Sequence, residues 1–565
     1  MKKGLSVILS FAMVATLLSG CGNSSSGGGT TTQAAGGSGT EVTAAAGGGS
    51  EAAGGVITMG VSGTPDLDPA IATTGSSCIA MANMYDTLVY PGKDGVEPRV
   101  AESWENSEDG LTYTFHLKKG IKFHDGSELT ASDVVFSMNR LLAIGEGYAY
   151  LFTDSVESAE ATDDYTVVFH LKKTFGPFVS ALVRLLIVNE DLVMANKQDG
   201  PYGEFGDYGK AWLVTNDAGS GAYMAKELVQ QDYFLAEKFD DWFVGWNNQY
   251  APAGFKMMAI TEASTVRTMV ANKELDITDQ WQSAETLAAL EKMDGVSIGE
   301  YSTYLEYNMY YNTQIEPMDD INFRRAISCL IDYDTICESV FIHSVKATGP
   351  VPATVQGHVD TAVFEYNLDK AKEYLAASKY ANNYGDYTIE ILCNSDVADL
   401  EKIALMIQSA ASQIGLNIEI SKAPWVSIID RMGSVETTPH MIAINSGLSY
   451  DEAGAYLESR YHSKTMGTWE QGEWLGDTKL DGMIEDALAT VDKTERFAKY
   501  GEIQNYIVDE LCPTGYLCEM TERIAYQSSY ITWPALENVA EGEIASALYG
   551  YLHQFADIEY HTEKK

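Results

Sequence analysis

The stretch from Glu97 to Leu142, EPRVAESWENSEDGLTYTFHLKKGIKFHDGSELTASDVVFSMNRLL, constrains the fold of this chain more than any other. Tyr113, Phe115 and Leu117 alternate with Thr112, Thr114 and His116, the period-two pattern of a half-buried strand. Asp109-Gly110 and Asp125-Gly126 are turn dipeptides on either side of it. Thr130 followed by Asp133 predicts a capped helix start. Val134, Val135, Met138, Leu141 and Leu142 then lay one apolar stripe along that helix. A strand, a turn and a capped helix are thus written into one segment. His124 and Asp125 fall in the turn with no further ligand nearby, so the segment reads as scaffold.

The N-terminus predicts a location. Lys2 and Lys3 precede an apolar run from Leu5 to Leu18, long enough for a signal peptide and short for a membrane-spanning helix. The run ends in Leu18-Ser19-Gly20-Cys21, which resembles a bacterial lipobox. That resemblance implies loss of residues 1–20 and a lipid on Cys21, holding the protein on the outer face of the cytoplasmic membrane. Residues 21–55 are then the lipidated Cys and a tether of Gly, Ser, Thr and Ala, too poor in apolar side chains to repay ordering. Its root-mean-square reach is roughly 30 Å. The net charge of −43 repels nucleic acid and anionic headgroups, which excludes a nucleic-acid partner.

The opening segment resembles, almost position by position, the signature of the peptide/nickel family of extracellular solute-binding proteins (family 5), the substrate-binding subunits of ABC importers. Further stretches carry the same resemblance: Gly219-Ser220-Gly221-Ala222-Tyr223 as a glycine-rich strand entry, Thr265–Trp281, and Asn308–Asp334. Leu480, Asp481, Arg496, Tyr500, Ile503 and Gln504 match the family's late helical pattern over a long helical region, Thr478–Ile507. The resemblance implies an α/β, type II periplasmic-binding-protein-like fold: two lobes, a hinge of two crossings near 305–313 and 514–522, and an extra domain inserted in lobe one. The implied boundaries are lobe one at 56–95, 211–312 and 519–565, the insert at 96–210, and lobe two at 313–518. The ligand would lie between the lobes, which close over it. A basic pair, Arg324 and Arg325, reads as forming a structural salt bridge to Asp319 or a neighbouring lobe.

Peptide-binding members of that family carry a loop trp-x-x-asp-tyr whose aspartate pairs with the peptide amine. The matching stretch here is Ser446-Gly447-Leu448-Ser449-Tyr450-Asp451-Glu452, where only Tyr450 agrees and Ser449 stands at the aspartate position. A charge pair at 4 Å is worth about 4 kcal/mol at an effective dielectric of 20, before desolvation, so its loss bears on ligand choice. Asp451 or Glu452 would substitute if the loop shifts. The ligand-binding residues expected from the resemblance and from their aromatic or polar character are Tyr85, Trp281, Trp425, Asn445, Ser446, Ser449, Tyr450 and Asp451.

The cysteines other than Cys21 are scattered, with no CxxC spacing; Cys512 and Cys518 are near enough in sequence to bridge, but no structural disulfide is expected. The nine histidines form no HxxH or HExxH, so neither a metal nor another cofactor is expected. GxSxG, P-loop and EF-hand patterns are absent, which weighs against the rival class, an extracellular hydrolase. The expected function is capture of an oligopeptide or similar solute by a monomeric lipoprotein, without turnover, and delivery to the permease subunits of an ABC importer. An oligosaccharide is the alternative ligand.

Overall fold

The computed structural model describes residues 55–92, 95–395, 397–540, 548 and 550–565. The leader, Cys21 and the tether lie outside the described residues. Three sheets organise the body. The first opens with β1 (Val56–Val61). A short hairpin follows, β2 (Val89–Gly92) with β3 (Gly95–Pro98). The second sheet is built from β4 (Ala101–Asn106), β5 (Thr112–Leu117), β6 (Val156–Asp163) and β7 (Thr166–Leu171), in the order β4-β5-β7-β6 and antiparallel throughout. The chain then returns to the first sheet as β8 (Tyr223–Val229), β9 (Tyr233–Lys238) and β10 (Gly254–Ala259), giving the order β1-β10-β9-β8 with β1 and β10 parallel.

The expected alternation governs β5: Tyr113, Phe115 and Leu117 are buried, and Phe115 meets Phe169 edge-on at 5.6 Å. The helix Ala131–Ile144 starts where Asp133 Oδ2 accepts from Thr130 N at 2.8 Å and Thr130 Oγ1 at 3.0 Å. It stops at Gly145, whose φ of 69° is left-handed backbone that glycine adopts at no steric cost. His124 is structural. Its Nδ1 lies 2.9 Å from Asp217 Oδ2 and its Nε2 3.0 Å from the Gly221 carbonyl, which fastens the opening segment to the start of β8. Gly219-Ser220-Gly221 crosses the end of the helix Gly75–Met84 so closely that a Cβ at 219 would lie 2.0 Å from the Met84 carbonyl.

The third sheet holds β11 (Ser297–Tyr311), β12 (Thr388–Asn394), β13 (Asn417–Ala423), β14 (Met441–Ser446) and β15 (Thr514–Tyr526), in the order β13-β12-β14-β11-β15. β12 is parallel to β13 and β14, and β11 is antiparallel to β14 and β15. The helix Ala398–Ser412 between β12 and β13 buries Ile403, Ala404, Ile407 and Ala411 against this sheet. Ile277 bridges both Met59 of β1 and Tyr526 of β15, which joins the first sheet to the third. The result is a two-lobed α/β body whose lobes share two long neighbouring strands, β11 and β15. Their register slips between Ser302 and Glu306.

One sequence expectation is sharpened and one is corrected. The helical region 478–507 is two helices, Thr478–Ala489 and Lys493–Tyr506, because Asp492 caps the second by accepting from Glu495 N at 2.8 Å. Arg324 makes no salt bridge to Asp319. It donates to the carbonyls of Cys512 at 2.9 Å, Met318 and Leu511, and Arg325 donates to the Asp509 carbonyl. The π-turn Ile507–Leu511 leaves carbonyls free at a helix end, and the guanidinium satisfies them. Asp319 pairs with Lys379 at 2.6 Å instead.

Candidate functional site

A cleft lies where four distant parts of the chain meet. β11 contributes Tyr301, Thr303, Tyr304 and Leu305. β15 contributes Glu522, and the loop after β14 contributes Gly447 and Leu448. The C-terminal segment supplies Leu548, Gly550, Leu552 and His553, while Ile79 and Gln280 complete the wall. The space is narrow, with a cavity volume of about 20 Å³, drawn out between side chains rather than gathered into one chamber. Gly550 packs against the helix Gly75–Met84, where a Cβ would lie 2.2 Å from the Cys78 carbonyl; its φ of 95° also favours glycine.

The cleft is closed by contacts between the region of β4–β7 and the segments that follow β14. Gly176 N donates to the Leu488 carbonyl at 2.7 Å, and a Cβ at 176 would lie 2.1 Å from the Thr490 carbonyl. Arg184 Nε donates to the Ser449 carbonyl at 2.7 Å, and the Tyr150 and Ser449 hydroxyls meet. Phe175 stands edge-on to Tyr450 at 6.4 Å. The larger apolar cluster accordingly runs without a break from Phe175 and Phe178 to Tyr450, Tyr456 and Tyr500.

None of the eight expected ligand residues lines this space, but the wall passes beside several. Gln280 precedes Trp281, which is 61 % exposed. Gly447 and Leu448 lie between Ser446 and Ser449. Tyr85 is buried and donates to the Leu67 carbonyl at 3.1 Å. Trp425 is half-buried and packs edge-on against Trp469 at 5.7 Å. Asn445 is half-buried opposite Tyr307 on β11. Ser446 Oγ accepts from Arg460 Nη1 at 2.6 Å. Tyr450 is buried with its hydroxyl unpaired. Asp451 accepts from Gln356 N and Nε2, both at 3.2 Å, and Glu452 pairs with Arg496 Nε at 2.7 Å. Both acids that would have substituted at the Ser449 position are thus committed to scaffold.

The sequence reading missed Glu522 and His553. The available signal was an acid inside the strand run CEMTERIA, Cys518 to Ala525, where burial is expected on both faces. Burial raises the Glu522 carboxyl to about 7, partly offset by the hydroxyl that Tyr301 donates to it. Burial lowers His553 to about 4, so the ring is neutral at pH 7. Behind the cleft wall, Glu306 on β11 is fully buried and neither of its oxygens has a hydrogen-bond partner. Burial, and then the neighbouring Glu519, raise its carboxyl well above the usual range. Cys518 of β15 lies in hydrogen-bond contact with Cys337, not with Cys512. Among the described residues there is no group of three or more His, Cys, Asp and Glu side chains that could hold a metal ion, and no helix long and apolar enough to cross a membrane.

Comparison with known proteins places this geometry. The model of bacterial extracellular solute-binding proteins, family 5 middle region, matches residues 95–468. A probable D,D-dipeptide-binding periplasmic protein of Escherichia coli, DdpA, is 28% identical over 499 residues, spanning 86% of this chain and 93% of its own. The substrate-binding protein CtaP of Listeria monocytogenes superposes with a TM-score of 0.77 at 21% identity, covering 90% of this chain and 99% of its own. DppA of Helicobacter pylori, solved with the peptide STSA, gives a TM-score of 0.70 at 23% identity over 90% and 98% of the two chains.

Proposed function

The chain belongs to the bacterial extracellular solute-binding proteins of family 5, and from that premise we propose that it captures short peptides between its two lobes and delivers them to an ABC importer. The observation that carries this reading is the cleft itself, walled by residues from both lobes and sealed by the Gly176–Leu488 and Arg184–Ser449 contacts. Dipeptide-binding and peptide-complexed relatives across most of the chain support a peptide as the solute. The lobes follow the boundaries 56–95, 211–312 and 519–565 for the first, 96–210 for its insert and 313–518 for the second.

Closure is a population shift set by the solute's preference for the closed state. β11 and β15 are the elements that bend, at the register slip between Ser302 and Glu306. The protein binds its solute without consuming it, acts as a monomer and is held at the membrane by a lipid on Cys21. Closure has one tight point: a methyl group at position 176 meets the Thr490 carbonyl.

Native mass spectrometry of residues 56–565 purified from the native host tests the reading. A heterogeneous set of co-purified peptides, released unchanged, is the expected result. A single glycan, or peptides cleaved on incubation, would overturn it.

A further inference from the structure

A second cavity shares no lining residue with the cleft. Its volume is about 130 Å³. A protein cavity of about 150 Å³ takes a benzene ring, so this one has room for a small solute. Tyr90 of β2 and Arg99, just past β3, form one wall. Trp242 and Trp246 come from the loop between β9 and β10, and Gln554 and Asp557 from the C-terminal segment. Asn248 pins that loop to that segment. Its Nδ2 donates to the carbonyls of Ala556 at 3.1 Å and Ile558 at 2.9 Å, and its Oδ1 accepts from Tyr250 N at 2.9 Å.

Arg99 is held in place without being used up. Its Nε donates to Asp86 Oδ1 at 2.8 Å. Its guanidinium carbon lies 4.7 Å from the Tyr90 ring centre and 5.0 Å from that of Trp242. Among the described residues, Nη1 and Nη2 have no hydrogen-bond partner. Beside them Trp242 is 7 % exposed, and its buried indole N–H has no acceptor. Buried donors are rarely left in that state. Asp557 lines the same cavity, with its side chain open to solvent on one side. Arg99 pairs with Asp86 and not with Asp557. Burial raises the Asp557 carboxyl and the Arg99 charge draws it back down, so the two groups feel one another without closing on one another. They are the only charged residues in the lining among the described residues.

We propose that this cavity is a second ligand site, taking a small zwitterion, an α-amino acid about the size of alanine, with its carboxylate on Arg99 and the Trp242 N–H and its ammonium on Asp557. Two free Nη groups on a fixed guanidinium match a carboxylate. The indole N–H adds a donor, and an ammonium brings three donors to the Asp557 acceptor. A solute with a carboxylate alone would leave Asp557 facing a like charge, and one with an ammonium alone would face Arg99. The site stands apart from the peptide reading, since the two spaces have separate walls.

The test follows the Trp242 indole N–H resonance of isotope-labelled residues 56–565, assigned by its loss in Trp242→Phe. L-Alanine should move this resonance saturably. Propionate, which lacks the ammonium, and ethylamine, which lacks the carboxylate, should each bind about tenfold or more weakly. Arg99→Met should abolish the alanine response. Asp557→Asn should weaken alanine about tenfold and leave propionate as it was or tighter. No saturable movement with alanine would overturn the proposal, as would equal affinity for propionate or ethylamine. An undiminished alanine response in Arg99→Met or in Asp557→Asn would also overturn it. If Arg99→Met does not give a native circular dichroism spectrum, Asp557→Asn decides, because that side chain is open to solvent. Peptide capture is read separately by the co-purified ligands and survives or fails on that measurement.

Discussion

Two buried arginines, one in each lobe, are set in opposite ways. Arg140 spends its guanidinium completely. Nη1 and Nη2 grip the two oxygens of Asp68, each at 2.7 Å, and Nε donates to the Tyr208 carbonyl at 2.8 Å. Asp68 Oδ1 also accepts from Ala70 N at 2.9 Å. Arg460 sits over the Tyr310 ring at 4.3 Å and reaches Ser446 Oγ, Glu473 Oε1 at 3.2 Å and the Glu470 carbonyl at 3.1 Å. Around it the acids outnumber the donors. Glu473 Oε2 and both oxygens of Glu306 have no hydrogen-bond partner, and burial raises both carboxyls. The first pair is a saturated fork that locks the helix Ala131–Ile144 to the loop after β1. The second is an under-paired cluster in which the helix Ala453–Tyr461 and the loop holding Glu470 and Glu473 pack against β11 and β14, beside the cleft. Saturation marks scaffold, and a shortage of donors marks the part of the protein whose energy changes with protonation and ligand.

The difference is open to direct attack. The largest loss is expected from Arg140→Met, which leaves Asp68 buried and unpaired: about 4 kcal/mol by urea unfolding. A loss below about 1 kcal/mol would erase the contrast. Arg460→Met should cost less, about 3 kcal/mol at pH 8, and less again at pH 5, where Glu306 and Glu473 neutralise themselves by taking up protons. A cost independent of pH would mean that these acids do not share the arginine.

A third expected effect concerns Glu522. Its folded-state carboxyl lies at about 7 against an ordinary 4.5, so the folded state holds the proton more tightly than the unfolded chain. That advantage is present at low pH and is lost as the pH rises from about 4.5 through 7. Replacement by Gln should remove this slope and leave the variant about 3 kcal/mol better off, relative to the native chain, at pH 8 than at pH 4. Parallel pH–stability curves would contradict it. The smallest effect is expected at Glu306. Glu306→Gln should gain about 1 kcal/mol at pH 8, because an uncharged amide replaces a buried acid without donors. Destabilisation there would show that the carboxylate has a partner in solution.

The elements that were legible in the sequence are the ones whose determinants are local. Tyr113, Phe115 and Leu117 alternate because β5 has one buried face, and Thr130 with Asp133 marks a helix start because both lie within one turn. The split at 490–492 was missed because the apolar stripe continues from one helix to the next, and only the Asp492 cap interrupts it. Arg324 and Arg325 suggested a carboxylate partner, but their partners are backbone carbonyls nearly two hundred residues later. The aromatic expectations for the cleft met a similar obstacle. Trp425 is spent on Trp469 and Trp281 stands exposed, while Tyr301 and Tyr304 take the wall.

By itself the sequence determined the strand alternation, the helix caps and the family pattern, since each depends on residues within a few positions of one another. The tertiary structure alone decided which acids are short of donors and which groups line the cleft. Glu306, Glu522 and His553 acquire their character from burial, and burial is fixed only when β11, β15, the loop after β14 and the C-terminal segment come together. A carboxylate in the sequence is merely charged; removal from water, and the count of donors left around it, decides whether it is scaffold or site.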